Sequence, residues 1–197
     1  MLDDYRNGYL VTVTKNGYIK RITIDDLVSI PQSGLIYSKV DPDDYIVDML
    51  LFKSDKADIV VYNQSKALRI KISDIPILKR NSRGNISMGG VNHEVTGMSV
   101  LHHGSTEILA ITAKGYINKI TPDVLPSGRN KAGKSITKLT KGDRLVSVLG
   151  VNESSIIRTI TGNGQYLDIP VNSIPNGSSI STGYKANNTG FLKGFNV

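Results

Sequence analysis

Residues 8–27 read GYLVTVTKNGYIKRITIDDL and residues 107–125 read EILAITAKGYINKITPDVL, two stretches that share a Thr-x-Lys-Gly-Tyr-Ile-x-Lys-Ile core once one residue is inserted. Weaker copies lie at 58–76, DIVVYNQSKALRIKISDIP, and at 156–175, IIRTITGNGQYLDIPVNSIP. Their turn positions, Gly17, Ser65, Gly115 and Gly164, follow one another at 48, 50 and 49 residues. A fixed period in this range decides the architecture ahead of any local reading, because each repeat is one small unit that must stack on its neighbours to bury a core.

Working outward, each copy continues alike. An acidic or Pro-bearing turn follows (Asp25 and Asp26, Pro76, Pro122 and Pro126, Pro175), then a basic or Gly/Ser loop, then a short apolar strand at 45–51, 95–101, 145–151 or 191–197. Val, Ile, Thr and Tyr dominate, Asn16-Gly17 and Asn163-Gly164 read as hairpin turns, and no sustained helical stripe is present. The expectation is an all-β, propeller-like single domain of four blades, each of about 49 residues and four antiparallel strands, with repeats near 8–56, 57–105, 106–153 and 154–197.

The bulk composition narrows the partners. Lys and Arg outnumber Asp and Glu by 24 to 17, a net charge of +7 that favours polyanions. No Cys is present, so neither a disulfide framework nor a thiolate metal site is available. Asp3 and Asp4 stand where a secretory signal needs basic residues, and no apolar run nears the roughly 18 residues of a membrane span. A cytoplasmic protein without membrane contact is expected.

The element Val13-Thr-Lys-Asn-Gly-Tyr-Ile-Lys-Arg21, returning as Thr112-Ala-Lys-Gly-Tyr-Ile-Asn-Lys119, resembles the blade signature of the C-terminal domain of the DNA gyrase A and topoisomerase IV A subunits, bacterial or phage. Arg80 to Gly84 and Arg129 to Gly133 match that family's Arg- and Gly-containing loop, and Asp43-Asp44 and Gly142-Asp143 its acidic turn. The resemblance implies a β-pinwheel, in which strands are exchanged between blades, whose basic rim bends or wraps double-stranded DNA and presents it to the cleavage core. It also implies two partners, an upstream breakage-reunion domain of the same polypeptide and a separate ATPase B-type subunit, with a nucleoid-associated setting. The gyrase box Gln-Arg-Arg-Gly-Gly-Lys-Gly has no full copy here, Gly128 to Lys134 being its loose echo, which leans toward a topoisomerase IV or phage-type relative.

Candidate DNA contacts recur at matching places. They are Lys20, Arg21, Arg69, Lys71 and Lys119 near the second hairpin strand, and Lys79, Arg80, Arg83, Arg129, Lys131, Lys134 and Lys138 in and beside the loops. Phosphate contacts by such residues give sequence-independent affinity through counterion release. In the fourth unit Asp168 replaces Arg21 and Ser178 to Ser181 replace the basic loop, so units two and three are expected to engage DNA most. Gly128 to Ser135 formally matches a P-loop, yet Pro126 upstream and a β-rich stretch downstream contradict the strand-to-helix context that motif requires. Tyr18 and Tyr116 read as packing residues, Asp41, Asp43 and Asp44 as a solvated turn, and His93, His102 and His103 as no metal site. No nucleophile motif surrounds any Ser, so no catalysis and no cofactor are expected. The competing function class is a propeller-like protein-interaction module in which the charge only aids solubility.

Overall fold

The computed structural model describes residues 7–53, 56–89 and 94–197. In the first unit β1 (Tyr9–Thr14) and β2 (Tyr18–Thr23) form a hairpin, and β3 (Ile46–Phe52) returns along the other edge of β1. The pattern repeats as β4 (Asp58–Asn63), β5 (Ala67–Lys71) and β7 (Val95–Leu101), then as β8 (Glu107–Thr112), β9 (Tyr116–Ile120) and β10 (Leu145–Val151). The fourth unit supplies β11 (Ile156–Thr161), β12 (Tyr166–Pro170) and β14 (Phe191–Asn196). A short 3₁₀ turn follows each second strand: Ile24–Leu27, Ile72–Asp74, Pro122–Val124 and Val171–Ser173.

The fourth strand of a blade comes from the next unit. β6 (Asn85–Ile86) pairs with β2, and β13 (Tyr184–Lys185) pairs with β9. Between them Lys134 makes a single antiparallel bridge to Ala67 of β5, exchanging backbone hydrogen bonds of 2.9 Å in both directions. The result is two four-stranded and two three-stranded sheets, an all-β pinwheel rather than four equal four-stranded blades. Among the described residues no such arm pairs with the free edge of β12.

Glycine places each arm. Gly84, Gly133 and Gly183 all have positive φ, and a Cβ at any of them would press on the carbonyl oxygen of Ile19, Ala67 or Ile117, the same position of three successive blades. Gly34, the equivalent residue of the first unit, also has positive φ (83°) but faces nothing within 4 Å.

Hairpin geometry departs from the two-residue Asn-Gly turn. Gly17, Gly115 and Gly164 alone take positive φ in loops of three residues, where a type I turn is closed by a left-handed glycine. The second unit has no glycine there; its Asn63 Oδ1 accepts the N–H groups of Ser65 and Lys66 at 2.9 and 2.7 Å instead.

Three cores lie between the four sheets. Along β4, Ile59 and Val61 face the first sheet while Val60 and Tyr62 face the third, so a continuous apolar run is buried on both sides. β8 splits likewise, Ile108 and Ala110 facing back and Leu109 and Ile111 facing forward. The inner strands pack in the order β3, β7, β10, β14, with the Ser147 hydroxyl donating to Gly194 O at 3.1 Å. At the axis Lys193 Nζ lies 3.9 Å from Asp48 Oδ2 and 3.5 Å from the Tyr62 hydroxyl. The outward face of the last sheet carries an exposed pair, Arg158 and Asp168, at positions where earlier sheets hold Val60 opposite Arg69 and Leu109 opposite Lys119.

Candidate nucleic-acid interface

Two basic loops are carried to the outer rim by the arms just described. Residues 79–84 lead into β6 on the first blade, and residues 129–134 lead to the bridge on the second. The two loops share a backbone form. Asn81 (φ 63°) and Asn130 (φ 57°) both sit in the left-handed region that Asn tolerates, each directly after the loop's first arginine. The residues that follow β6 reach the second loop: Asn130 N–H donates to Ser87 O at 2.7 Å, and Gly89 N–H donates to Lys131 O at 2.9 Å. Arm exchange therefore joins the basic loops of units two and three along one stretch of rim.

Lys79, Arg80, Arg83, Lys131, Lys134 and Lys138 are exposed there, and Arg129 is half-buried. Arg83 pairs with Asp41 and lies 4.1 Å over the Tyr18 ring. Lys185 lies 4.5 Å over Tyr116, so both tyrosines that follow a turn glycine are covered by a cation. Lys131 Nζ donates to Ser127 O at 2.5 Å. At the place of Arg80 and Arg129 the first and last units carry Ile30 and Ser179, which confines the basic stretch to the middle units.

Three sequence candidates are not on that surface. Lys20, Arg21 and Lys119 are only 1%, 6% and 4% exposed, which removes them from any surface a duplex reaches in this arrangement. The cause is the period-two alternation of strands: Arg21, Arg69 and Lys119 share a face with core residues and point toward the next blade. Each meets a partner at the start of its own hairpin. Arg21 stacks on Tyr9 at 4.6 Å, Arg69 pairs with buried Asp58, and Lys119 Nζ is 3.7 Å from Glu107 Oε1. Lys20 points the other way and donates to Tyr37 O and Ser82 O at 2.7 and 3.1 Å. Burial holds its ammonium below the ordinary lysine value. Lys71 is exposed and Arg69 half-buried, in a groove between the second and third blades.

In each acidic turn one carboxylate is structural, while Asp43 stays exposed. Asp44 Oδ1 accepts the N–H groups of Asn16 and Tyr45 at 2.9 and 3.0 Å, and Asp143 Oδ1 accepts those of Lys114 and Arg144 at 2.9 and 2.8 Å. Each carboxylate thus buttresses the hairpin loop of its own unit. Gly128 to Ser135 opens no helix; it runs into the Lys134–Ala67 bridge, where backbone groups are occupied by another blade. No group of three or more His, Cys, Asp or Glu side chains suited to a metal occurs among the described residues. His93 lies outside those residues, and no helix among them is long and apolar enough to cross a membrane.

Comparison with known proteins converges on one family. A family model described as "DNA gyrase C-terminal domain, beta-propeller" matches residues 8–53, 63–101 and 106–152. The DNA gyrase A protein of Haloquadratum walsbyi is 24% identical over 88% of this chain and 21% of its own length. Its Kosmotoga olearia counterpart is 25% identical over 93% of this chain and 23% of its own. This chain thus spans about a fifth of the curated relatives it matches. Among solved structures, the C-terminal domain of DNA topoisomerase IV superposes with a TM-score of 0.86 at 20% identity, covering 97% of this chain and 62% of that one. The DNA gyrase A C-terminal domain gives 0.83 at 16% identity, covering 97% and 66%. The E. coli ParC C-terminal domain gives 0.64 at 16%, covering 97% and 80%. With three of its four units matched by the family model and the pinwheel shared with these domains, the chain belongs to the DNA gyrase A C-terminal domain family.

Proposed function

We propose that the rim formed by the loops of units two and three binds duplex DNA without reading its sequence, bending or wrapping it so as to present it to the cleavage core of a type IIA topoisomerase. One observation supports this reading: arm exchange sets Lys79, Arg80, Arg83, Arg129, Lys131 and Lys134 on two loops with matching conformations, the second hydrogen-bonded to the residues that follow the first arm. Flexible cations on a shared rim suit phosphate contacts, which fix position and affinity but carry no base information. Lys138, also exposed, extends the contact. In this reading the domain cuts nothing itself. It works beside an upstream breakage-reunion domain and an ATPase B-type subunit, in the cytoplasm at the nucleoid.

The test is duplex binding across a salt series for the chain and for a variant with Arg80, Arg83, Arg129 and Lys131 all changed to Glu. Each neutralised phosphate contributes about −0.9 to the log–log slope, so the variant is expected to lose about 3 to 4 from the slope and more than tenfold in affinity. A variant that binds as the parent does refutes the rim assignment. Ligation of a nicked circle with the domain bound separates the two modes, since a changed linking number means wrapping and an unchanged one means bending alone.

A further inference from the structure

A second, more enclosed basic feature lies away from the rim loops. Between the second and third blades, at the end of the sheets opposite the hairpin turns, is a groove of about 750 Å³. The second blade contributes Lys56, Arg69, Lys71 and, from the loop after β7, His102 and His103; the third blade contributes the turn after β9 at residues 121–123. Hydroxyl groups of Ser73, Ser105, Thr106 and Thr121 also face it. The acidic groups facing it are Asp58, which is occupied by Arg69, and Asp123. Lys71 and both histidines are exposed there. Convergent ammonium groups, imidazoles and hydroxyls in a concave site are the donor set that phosphate oxygens require.

We propose that this groove is a phosphate-binding site, separate from the rim, whose ligand contacts include Lys71, His102 and His103. The ligand chemistry is a run of phosphates. It comes either from the DNA backbone leaving the rim, a form that rests on the proposed DNA-binding function, or from a free polyphosphate.

The ring protons of the chain's three histidines, assigned with single His→Gln variants, report occupancy directly by NMR. Titration with inorganic tripolyphosphate and, separately, with a duplex of about 30 base pairs is expected to move the His102 and His103 signals. A Lys71→Gln/His102→Gln/His103→Gln variant is expected to bind tripolyphosphate at least tenfold more weakly and to lower the duplex salt slope by about 1 to 3. Arg80→Glu/Arg129→Glu is expected to weaken duplex binding while leaving tripolyphosphate binding unchanged. Signals that move with tripolyphosphate alone identify a free polyphosphate as the ligand. If the parent chain binds no duplex yet tripolyphosphate moves both signals, the rim reading falls and the groove stands. His102 and His103 signals unmoved by either ligand overturn the proposal.

Discussion

Replacing Gly84 by Ala tests whether the exchanged arm holds the array together, and Gly34→Ala supplies its internal control. Both residues have positive φ, 103° and 83°, so each substitution costs about 1 kcal/mol or more in backbone strain. Only at Gly84 does the new Cβ meet backbone, 2.8 Å from Ile19 O, whereas at Gly34 it meets nothing within 4 Å. To relieve that contact the arm must lift from β2, which loosens the Tyr18–Ile86 pairing and the 2.8 Å bond from Ser87 N–H to Gly17 O. At about 1 kcal/mol net per hydrogen bond, two such bonds bring the total to about 3 kcal/mol. A chain of this size shifts its midpoint by about 2–4 °C per kcal/mol, so Gly84→Ala is expected to lower Tm by about 6–12 °C and Gly34→Ala by about 2–4 °C. Differential scanning calorimetry on both variants decides it. Equal shifts would refute the reasoning, because the close approach to Ile19 would then contribute nothing.

Other outcomes follow from the same geometry. Arg69→Met strands buried Asp58 and is expected to cost about 3 kcal/mol, whereas Arg158→Met, which breaks an exposed pair, is expected to leave the urea midpoint nearly unchanged. Burial, opposed in part by a hydrogen bond from Thr12, pushes the Tyr37 phenol from 10.0 up to about 12. The folded state then holds its proton longer than the unfolded chain, so stability falls as pH rises from 10 toward 12; ultraviolet titration should show Tyr37 ionising late, as does Tyr62, whose burial also pushes its phenol up. The two hydrogen bonds from Arg158 hold the Asp168 carboxyl below its ordinary 3.8, so its contribution is complete above that pH and fades below it. Carboxyl NMR on Arg158→Gln should return Asp168 to the ordinary range.

The repeat was legible because hairpin chemistry forces it into the sequence: Gly17, Gly115 and Gly164 must be glycine to close three-residue loops, and their spacing sets the period. Closing strands were legible for a similar reason, their apolar runs being buried between neighbours, and Val95–Leu101 and Leu145–Val151 fall where expected. The fate of Lys20, Arg21 and Lys119 was half legible. Alternation puts Arg21 on the face of Ile19, but only the stacked blade shows that this face is covered. The arms were the hardest to read, since β6 and β13 are two residues long and carry no periodicity. Their signal was a second glycine series, Gly34, Gly84, Gly133 and Gly183, running at 50, 49 and 50 residues in step with the first. The groove histidines carried no motif; pairing of β5, β4 and β7 within the second blade brings them to the same end of the sheet as Lys71.

Strand exchange also sets an order on biosynthesis. β2 is complete once Thr23 has left the ribosome, yet the strand that closes its edge ends more than sixty residues later, at Ile86. Each blade is thus finished one unit late, and a nascent chain carries an open β edge that moves toward the C-terminus as translation proceeds. Open edges invite pairing with other chains, so a ribosome stalled within a unit would display the most aggregation-prone form of this protein.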